Sequence, residues 1–332
     1  MIDIALCFDN NFVMQAGVFI TSLLMTNDAD AISMHIVSDN LSEESRLSLM
    51  RITQQFHAQI SFYEFDIDKI SSFPIGAKNH LSLATYYRIL LPEIVPPALH
   101  KVLYVDCDML AVDSLEELWN TDVSSYSCAA CADMFYDDQS IGARLGYDIR
   151  MHYFNAGMLL LNLDWWRKNN VSEKIITYIS TFPEKCHAHD QDALNAVLHG
   201  TIRRVSARYN IQLDFLKKNY SNMVIADTEV LHDAVTSWKN PCIIHFTGPS
   251  KPWKYQCFNP FEPLWHFFQN MTQWRNLPKE HEFGGWKLLK WKIKNVFSAC
   301  NIVRSRTNEY ISVSDKIIRI ENTCKMRMGD AL

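Results

Sequence analysis

Val102-Leu-Tyr-Val-Asp-Cys-Asp108 joins a short apolar run to two carboxylates that stand one residue apart. The apolar run predicts a buried β-strand. Because side chains at i and i+2 of an extended chain lie on the same side, Asp106 and Asp108 are expected to project together from the end of that strand. Two anions this close repel each other unless a cation lies between them, and a hard divalent ion such as Mg²⁺ or Mn²⁺ suits carboxylate oxygens. The stretch therefore predicts a metal site that handles a nucleotide diphosphate.

A D-x-D triplet alone is also typical of solvated loops and helix caps. In this chain the apolar pair Met109-Leu110 follows the second aspartate, so apolar residues flank the acids on both sides. This context disfavours a solvated loop, and the metal interpretation then depends on the other motifs of the chain.

The composition is that of a globular protein without a strongly charged partner. Hydrophobic residues make up 48% of the 332 residues and charged residues 21%, which disfavours disorder. The net charge of −5 argues against nucleic-acid binding. Nine cysteines are an odd number in a long chain, so a disulfide framework is not expected. Cys128-Ala-Ala-Cys131 is interpreted as two buried thiols rather than as a zinc or redox pair.

Strands and helices alternate in the N-terminal third of the chain. Strands are predicted at Ile2–Phe8, Ser33–Ser38, Ile60–Phe65, Val102–Val105, Phe154–Asn162 and from Cys242, and helices at Gln15–Met25, Ser42–Gln54, Ala84–Leu91 (ended by Pro92) and from Asp190. Such alternation is typical of an α/β fold with a mostly parallel sheet covered by helices on both faces. Ligands bind beyond the carboxyl ends of such strands, so Asp9 and the D-x-D acids are expected at one edge of the sheet.

Six motifs occur in the order found in a known family: Phe8-Asp-Asn-Asn-Phe12, His80-Leu-Ser-Leu-Ala-Thr-Tyr-Tyr-Arg88, Val102-Leu-Tyr-Val-Asp-Cys-Asp108, Tyr153-Phe-Asn-Ala-Gly157, Asp190-Gln-Asp192 and His245-Phe-Thr-Gly-Pro-Ser-Lys-Pro-Trp253. With them, the chain from Ile2 to Trp253 resembles the retaining glycosyltransferases of family 8, in particular bacterial lipopolysaccharide galactosyl- and glucosyltransferases, with glycogenin as a more distant relative. The resemblance implies a GT-A fold, UDP-galactose or UDP-glucose as donor, Mn²⁺ with Mg²⁺ as the alternative, and an α-linked product. The implied acceptor is a glycan such as the lipopolysaccharide core.

The resemblance assigns the metal to Asp106, Asp108 and His245. A neutral imidazole is a better ligand for Mn²⁺ than for Mg²⁺, which favours manganese. A lone histidine after a strand is more often a hydrogen-bonded core residue, but here Gly248 and Lys251 follow it. Gly248 lets backbone N–H groups approach a diphosphate, and Lys251 adds a cation where negative charge develops.

The resemblance also assigns residues to the nucleotide-sugar. Asp9 and Asn11 are expected to read the uracil and ribose while Phe12 offers a stacking face, the alternative for the two polar residues being a helix cap. Arg88 is expected to add positive charge beside the departing diphosphate, and Gly157 to permit close backbone approach, its alternative being a glycine bulge. The full set is Cys7, Asp9, Asn11, Phe12, Arg88, Asp106, Cys107, Asp108, Asn155, Ala156, Gly157, Asp190, Gln191, Gly248 and Lys251.

Asp190 and Gln191 are the expected catalytic residues beside the donor sugar. Asp190 is expected to accept hydrogen bonds from sugar hydroxyls, and Gln191 to lie beneath the anomeric carbon. Because an amide is a poor nucleophile compared with a carboxylate, a front-face substitution is favoured over double displacement. His80 and Asp133 match the acceptor-side positions of the family.

The composition becomes cationic and aromatic from about Trp286. The segment Trp286-Lys-Leu-Leu-Lys-Trp-Lys-Ile-Lys-Asn-Val-Phe297 predicts an amphipathic helix suited to an anionic membrane surface, and the alternative is a helix packed on the catalytic domain. We expect a GT-A catalytic domain at residues 1–255 and a helical, cationic extension at residues 256–332. The first residues lack the cationic region of a signal peptide and no apolar run approaches the roughly 20 residues of a transmembrane helix. A cytoplasmic protein, peripheral on the inner face of the cell membrane and acting on a lipid-linked glycan, is therefore expected.

Other classes of protein use similar residues. A nucleotide-binding module without transfer activity would not need the full set of Asp106, Asp108, His245 and Lys251. A metal-dependent hydrolase of nucleotide-sugars could use the same acids. Within the transferases, the alternative acceptors are a polyprenyl-linked O-antigen repeat and a protein glycan.

Overall fold

The computed structural model describes residues 1–64, 84–135, 138–148, 150, 152–216, 227–255, 257, 259–280 and 314–329. Its strands are β1 (Ile2–Cys7), β2 (Ile32–Ser38), β3 (Gln59–Glu64), β4 (Lys101–Val105), β5 (Met109–Ala111), β6 (Cys128–Ala132), β7 (Phe154–Asn162), β8 (Ile202–Arg204), β9 (Ile211–Gln212) and β10 (Ile243–His245). Its α-helices are α1 (Val13–Thr26), α2 (Glu43–Gln55), α3 (Ala84–Tyr87), α4 (Leu91–Ile94), α5 (Glu116–Trp119), α6 (Gln139–Leu145), α7 (Leu163–Lys168), α8 (Val171–Thr181), α9 (Asp190–Leu198), α10 (Thr228–Ser237), α11 (Glu262–Gln269) and α12 (Ser314–Gly329).

The central sheet has seven strands in the order β3-β2-β1-β4-β7-β6-β8. Strands β3, β2, β1 and β4 run parallel, β7 is antiparallel to both of its neighbours, and β8 is parallel to β6. A second sheet of three strands has the order β5-β10-β9. The predicted α/β fold with a mostly parallel sheet is confirmed.

Helices bury both faces of the central sheet. Apolar residues of α1 and α2 pack on one face, and residues of α4, α7, α8 and α9 pack on the other. Strands covered on both sides need apolar residues on both sides, which explains why Ile4–Cys7 of β1 and Val102–Val105 of β4 are continuous apolar runs rather than alternating ones. Ser42 caps α2, because its hydroxyl accepts a hydrogen bond from the Ser45 N–H.

Two local expectations from the sequence are wrong. The helix predicted to stop at Pro92 is instead divided into α3, a 3₁₀ turn at Arg88–Leu90 and α4, and Pro92 lies in the first turn of α4. A proline in that position loses no hydrogen bond, because first-turn N–H groups have no intrahelical partner. The D-x-D acids are also not extended. Cys107 and Asp108 form a turn, after which the chain leaves the central sheet and enters β5 of the second sheet.

The second sheet has its own apolar cluster, to which the C-terminal helices contribute. Trp265 of α11 and Ile320 and Cys324 of α12 are buried against residues of α1, β5 and β10. None of the described helices combines the length and the apolarity that crossing a bilayer requires. The predicted amphipathic helix from Trp286 to Phe297 lies outside the described residues, as does His80. The boundary at residue 255 stays a prediction.

Candidate active site

Two strand pairings bring three distant motifs together. Val105 pairs with Met158 across the antiparallel β4 and β7, so the backbone N–H of Asp106 donates to the Gly157 carbonyl at 2.8 Å. His245 pairs with Met109 across β10 and β5, immediately after Asp108. The D-x-D turn, the Asn-Ala-Gly residues of β7 and the end of β10 therefore meet where the two sheets separate.

Asp106, Asp108 and His245 form a compact cluster of ligand atoms, all within 4.8 Å of one another. His245 Nε2 lies 3.2 Å from Asp108 Oδ1 and 3.9 Å from Asp106 Oδ2. Asp108 Oδ1 is buried and accepts no hydrogen bond from the part of the chain that the structure describes. A buried oxygen that faces a ring nitrogen and lacks a donor suits a bound cation, and two carboxylates with an imidazole are a ligand set for Mn²⁺ or a related divalent ion. The chain therefore fits a divalent metal at this position.

The close packing of Asp106 and His245 on β7 leaves no room for a side chain at residue 157, so glycine is required there. A Cβ at residue 157 would lie 2.4 Å from His245 Cε1 and 2.9 Å from Asp106 Oδ2. Both distances are far below van der Waals contact, so any side chain there would push two of the three ligands apart. The bulge alternative is also present, since the pairing of β7 with β6 jumps from Leu159 opposite Ala130 to Asn155 opposite Cys131, and Gly157 lies within that irregular stretch of β7.

Lys251 pairs with the metal cluster from the other side. Its ammonium contacts Asp108 Oδ2 and donates to the Phe246 carbonyl at 2.6 Å. Burial alone would raise the pKa of Asp108, but Lys251 and then His245 outweigh it, so the pKa lies below its ordinary value and the carboxylate stays ionised. Gly248 precedes Lys251 in the left-handed conformation, with a φ of +67°, which glycine adopts without strain.

Arg88 is buried between two carboxylates. Its Nε lies 2.7 Å from Asp190 Oδ2, one terminal nitrogen lies 3.2 Å from Asp106 Oδ1, and the same nitrogen donates to the Ala156 carbonyl at 2.6 Å. Burial raises the pKa of Asp190 to about 6, with Arg88 opposing the rise and Asp106 adding to it. The guanidinium thus links the metal cluster to Asp190 and also lines the cavity beside them.

Gln191 is held by its own hydrogen bonds. Its Oε1 accepts from the Ala156 N–H at 2.9 Å, and its Nε2 lies 3.2 Å from the Tyr153 hydroxyl and 3.3 Å from Asp133 Oδ2. One turn further along α9, Asn195 exchanges hydrogen bonds with the backbone of Phe154. Two amides on one helix face therefore dock α9 on the start of β7.

Two cavities meet at Gln191. A cavity of about 190 Å³ is lined by Asp106, His245, Asp190 and Gln191, among others. A second cavity of about 310 Å³ contains Asp133, Phe135 and Tyr153 on its wall. Gln191 and Asn155 line both, so a group in one cavity lies next to a group in the other.

The expected uracil end lies after β1. Cys7 ends that strand and is buried, as is Cys107 of the D-x-D turn. Asp9 accepts a hydrogen bond from the Asn11 N–H at 2.9 Å, so the capping alternative is present. Phe12 is 37% exposed and lies edge-on to Trp253, with ring centroids 6.5 Å apart. Phe12 is thus partly exposed beside Asp9, which also caps the turn.

Sequence reasoning missed two residues of this site. The Tyr104 hydroxyl donates to Asp106 Oδ1 at 2.5 Å, and burial raises the pKa of Tyr104 well above its ordinary value, so the hydroxyl stays protonated. Its position two residues before Asp106 on a strand could have revealed it. Asn210 lies 2.9 Å from His245 Nδ1, but it belongs to no motif and only the pairing of β9 with β10 brings it there.

Several proteins are similar to this chain in structure or in sequence over most of its length. A crystal structure of the galactosyltransferase LgtC in complex with donor and acceptor sugar analogues matches with a TM-score of 0.73 and 26% identity, over 82% of this chain and 96% of that chain. The lipopolysaccharide 1,3-galactosyltransferase of Salmonella typhimurium is 29% identical over 76% of this chain and 72% of its own length. General stress protein A of Bacillus subtilis is 26% identical over 82% of this chain and 94% of its own length.

The fold and the crevice define a glycosyltransferase of the GT-A type. The sequence model of glycosyl transferase family 8 matches residues 3–257, and the chain belongs to this family. The resemblance carried by the six motifs is thereby confirmed.

Proposed function

We propose that the chain is a metal-dependent, retaining hexosyltransferase that moves galactose or glucose from a UDP-sugar to a glycan, with the lipopolysaccharide core as acceptor. The observation that carries this proposal is that Asp106 and His245 line the same cavity as Asp190 and Gln191. A diphosphate bound at the metal cluster would bring the sugar it carries to those two side chains. The similarity to enzymes named as galactosyltransferases supports the same chemistry.

The cluster fits Mn²⁺, because His245 supplies nitrogen beside the two carboxylates, and Mg²⁺ is the alternative. A divalent ion held there would act as a Lewis acid toward the diphosphate leaving group. Lys251 contacts Asp108, so when Asp108 binds the metal ion the ammonium would add its positive charge beside the diphosphate leaving group. Arg88 keeps Asp106 and Asp190 in fixed positions, and we propose it as a positioning residue rather than a phosphate ligand.

Gln191 supports a front-face substitution. Its amide oxygen accepts the Ala156 N–H, so the atom that would attack the sugar in a double displacement is already engaged. In the front-face route the bond from sugar C1 to the diphosphate oxygen breaks while the bond from C1 to the acceptor oxygen forms on the same side. The acceptor's proton passes to the departing phosphate oxygen. Asp190, anchored by Arg88, holds the sugar hydroxyls during this exchange.

The acceptor is proposed to occupy the larger cavity beside Gln191, where Phe135 and Tyr153 offer rings to a sugar face and Asp133 offers a carboxylate. A polyprenyl-linked repeat and a protein glycan are the alternative acceptors. We further propose that the cationic tail from Trp286 holds the protein at an anionic membrane surface, where a lipid-linked glycan is found.

The test is a donor screen with the purified full-length protein, Mn²⁺ and a panel of UDP- and GDP-sugars, measuring release of the nucleotide. Release from UDP-galactose or UDP-glucose, stimulated by a lipopolysaccharide acceptor and lost in Asp106→Ala, is the expected result. Asp164→Ala, an exposed aspartate paired with His100, is the matched control and should keep full activity. Release that is equally fast without any acceptor would instead indicate a hydrolase, and full activity of Asp106→Ala would refute the metal assignment.

A further inference from the structure

A chain of buried amides runs from Asp133 to the metal ligand His245. Asn155 Nδ2 donates to Asp133 Oδ2 at 2.9 Å, Asn210 Nδ2 donates to Asn155 Oδ1 at 2.8 Å, and Asn210 Oδ1 lies 2.9 Å from His245 Nδ1. All four side chains are at most 6% exposed. Water does not compete for these bonds, so the polarity of one group fixes that of the next.

Groups of fixed polarity determine the direction of every amide in this chain. The Asp133 carboxylate accepts, so the donating end of Asn155 faces it. The Gly157 backbone N–H can only donate, and it donates to Asn155 Oδ1 at 3.0 Å, which requires the same orientation. Asn155 Oδ1 therefore also faces the donating end of Asn210, and the amide oxygen of Asn210 must face the imidazole.

We infer that Asn210 is a positioning residue for the metal site: its amide oxygen, directed by Asp133 and Asn155, holds the hydrogen of His245 on Nδ1 and leaves Nε2 toward Asp106 and Asp108. A histidine that binds a metal through one nitrogen normally donates from the other, and the partner sets ring orientation and basicity. This inference rests on the proposed metal site and adds a residue that carries no ligand atom itself.

The orientation of the Asn210 amide matters for metal binding because the His245 ring is closely packed. The ring packs closely on Gly157 through Cε1, and Asn210 is bonded to the neighbouring ring atom Nδ1. Because Asn155 lines both cavities and Asp133 lines the larger one, the amide chain connects the proposed acceptor side of the site to the metal side.

The first test reads the imidazole directly. The full-length protein, labelled with ¹⁵N-histidine, is loaded with ¹¹³Cd²⁺ in the presence of UDP, and His245 is assigned from the signals lost in His245→Gln. The expected spectrum shows cadmium coupling at Nε2 and a bonded hydrogen at Nδ1. Coupling at Nδ1, or an Nδ1 without hydrogen, would overturn the inference without any variant of Asn210 being needed.

The second test measures Mn²⁺ affinity by electron paramagnetic resonance, with and without UDP. Asn210→Leu should weaken binding roughly 10- to 100-fold, the usual effect of losing a partner of a metal-bound histidine. Asn210→Asp keeps an acceptor for the Nδ1 hydrogen but loses the donor to Asn155 Oδ1, so it should weaken binding less than Asn210→Leu does. The NMR experiment remains decisive if Asn210→Leu does not fold.

Asn27→Leu is the matched control. Asn27 is also a buried amide, bonded to the Leu23 carbonyl at 3.1 Å and the Leu115 N–H at 2.7 Å, but it lies away from the site. It should lose stability and keep its Mn²⁺ affinity. Equal affinity of wild type and Asn210→Leu contradicts the role of Asn210 alone, whereas a wild type that binds neither ion contradicts the proposed metal site as well.

Discussion

Lys251 and Asp108 form an ion pair on the carboxylate oxygen next to the one that faces His245. Asp108 Oδ2 thus has a cation while Asp108 Oδ1, which is buried, has no donor among the described residues. A divalent ion that binds both aspartates has to share Asp108 with this ammonium. Without a ligand, the Lys251 ammonium therefore neutralises part of the negative charge of the two aspartates. It also competes with the metal ion for Asp108 until a bound diphosphate gives the ammonium another anion to pair with.

Lys251→Met should change metal binding and transfer in opposite directions. Without nucleotide, Mn²⁺ affinity should rise about threefold to tenfold, since a competing positive charge is removed. The transfer rate should fall on the order of 10²-fold, because the charge on the departing diphosphate loses a stabilising partner. Titration of Mn²⁺ and steady-state kinetics measure the two effects. Lys101→Met, at the opposite end of β4, should leave both unchanged, and a loss of Mn²⁺ affinity in Lys251→Met would contradict the competition.

Gly157→Ala should damage the metal site more than the fold. Its Cβ would overlap His245 and Asp106, and relieving the overlap moves at least one ligand, so Mn²⁺ affinity should fall by roughly tenfold or more. Gly17→Ala is a fitting control, because its Cβ would lie 2.2 Å from Trp274 Cζ3, outside the site. Both variants should lose about 1–3 kcal/mol of stability through overpacking. Unchanged Mn²⁺ binding in Gly157→Ala would show that the ligands do not depend on this close contact.

The sequence predicts the parts of the site that local pattern controls. The apolar run before Asp106 indicates its strand, and the order of the six motifs indicates the family and the ligand set. The turn at Cys107 and Asp108 could not be predicted from the local pattern. An extended chain would also place the carboxylates of Asp106 and Asp108 on one side, so the D-x-D spacing fits both conformations. Asn210 could not be identified from the sequence for a related reason. Its role depends on β9 lying beside β10, a pairing between segments about thirty residues apart in the chain.

Asp190→Asn should remove a pH dependence of stability in the metal-free protein. The pKa of Asp190 rises from 3.8 to about 6 in the folded state, so the folded protein binds more protons than the unfolded chain between these values. The stability that protonated Asp190 supplies is present below about pH 4 and is lost as the pH rises through 6. At 1.36 kcal/mol per pKa unit, the wild type should lose on the order of 3 kcal/mol relative to Asp190→Asn.

Urea unfolding between pH 4 and 7, with chelator present, measures this difference. Asp164→Asn, on an exposed helix turn, should follow the wild type over the whole range. Parallel curves for the wild type and Asp190→Asn would mean that Arg88 fully compensates the buried carboxylate.

Gln191→Ala distinguishes positioning from nucleophilic attack. In the front-face mechanism Gln191 orders the Ala156 backbone and lies beneath the sugar, so kcat should fall about 10²-fold with little change in the donor KM. Loss of a true nucleophile costs roughly 10⁶-fold. Gln15→Ala, another buried glutamine, should leave kcat unchanged. Trapping of a sugar bonded to Gln191 in the wild type would contradict the front-face route.

The membrane proposal is best tested without shortening the chain. A truncation at Trp286 would also remove α12, whose Ile320 and Cys324 are buried against the core, so release from membranes could reflect unfolding. Replacing Lys287, Lys290 and Lys294 with glutamate reverses the charge at three positions and leaves the rest of the chain intact. Each lysine near an anionic surface is worth about 1 kcal/mol, so binding to vesicles containing phosphatidylserine should weaken at least about 100-fold.

The same three positions changed to arginine form the matched control and should keep vesicle binding, because the positive charge is retained. Cosedimentation with anionic and with zwitterionic vesicles measures the charge-dependent part. UDP binding should be equal in all three proteins, since these lysines lie beyond the family match at residues 3–257. Equal sedimentation of the glutamate variant and the wild type would show that the cationic tail is not the membrane contact.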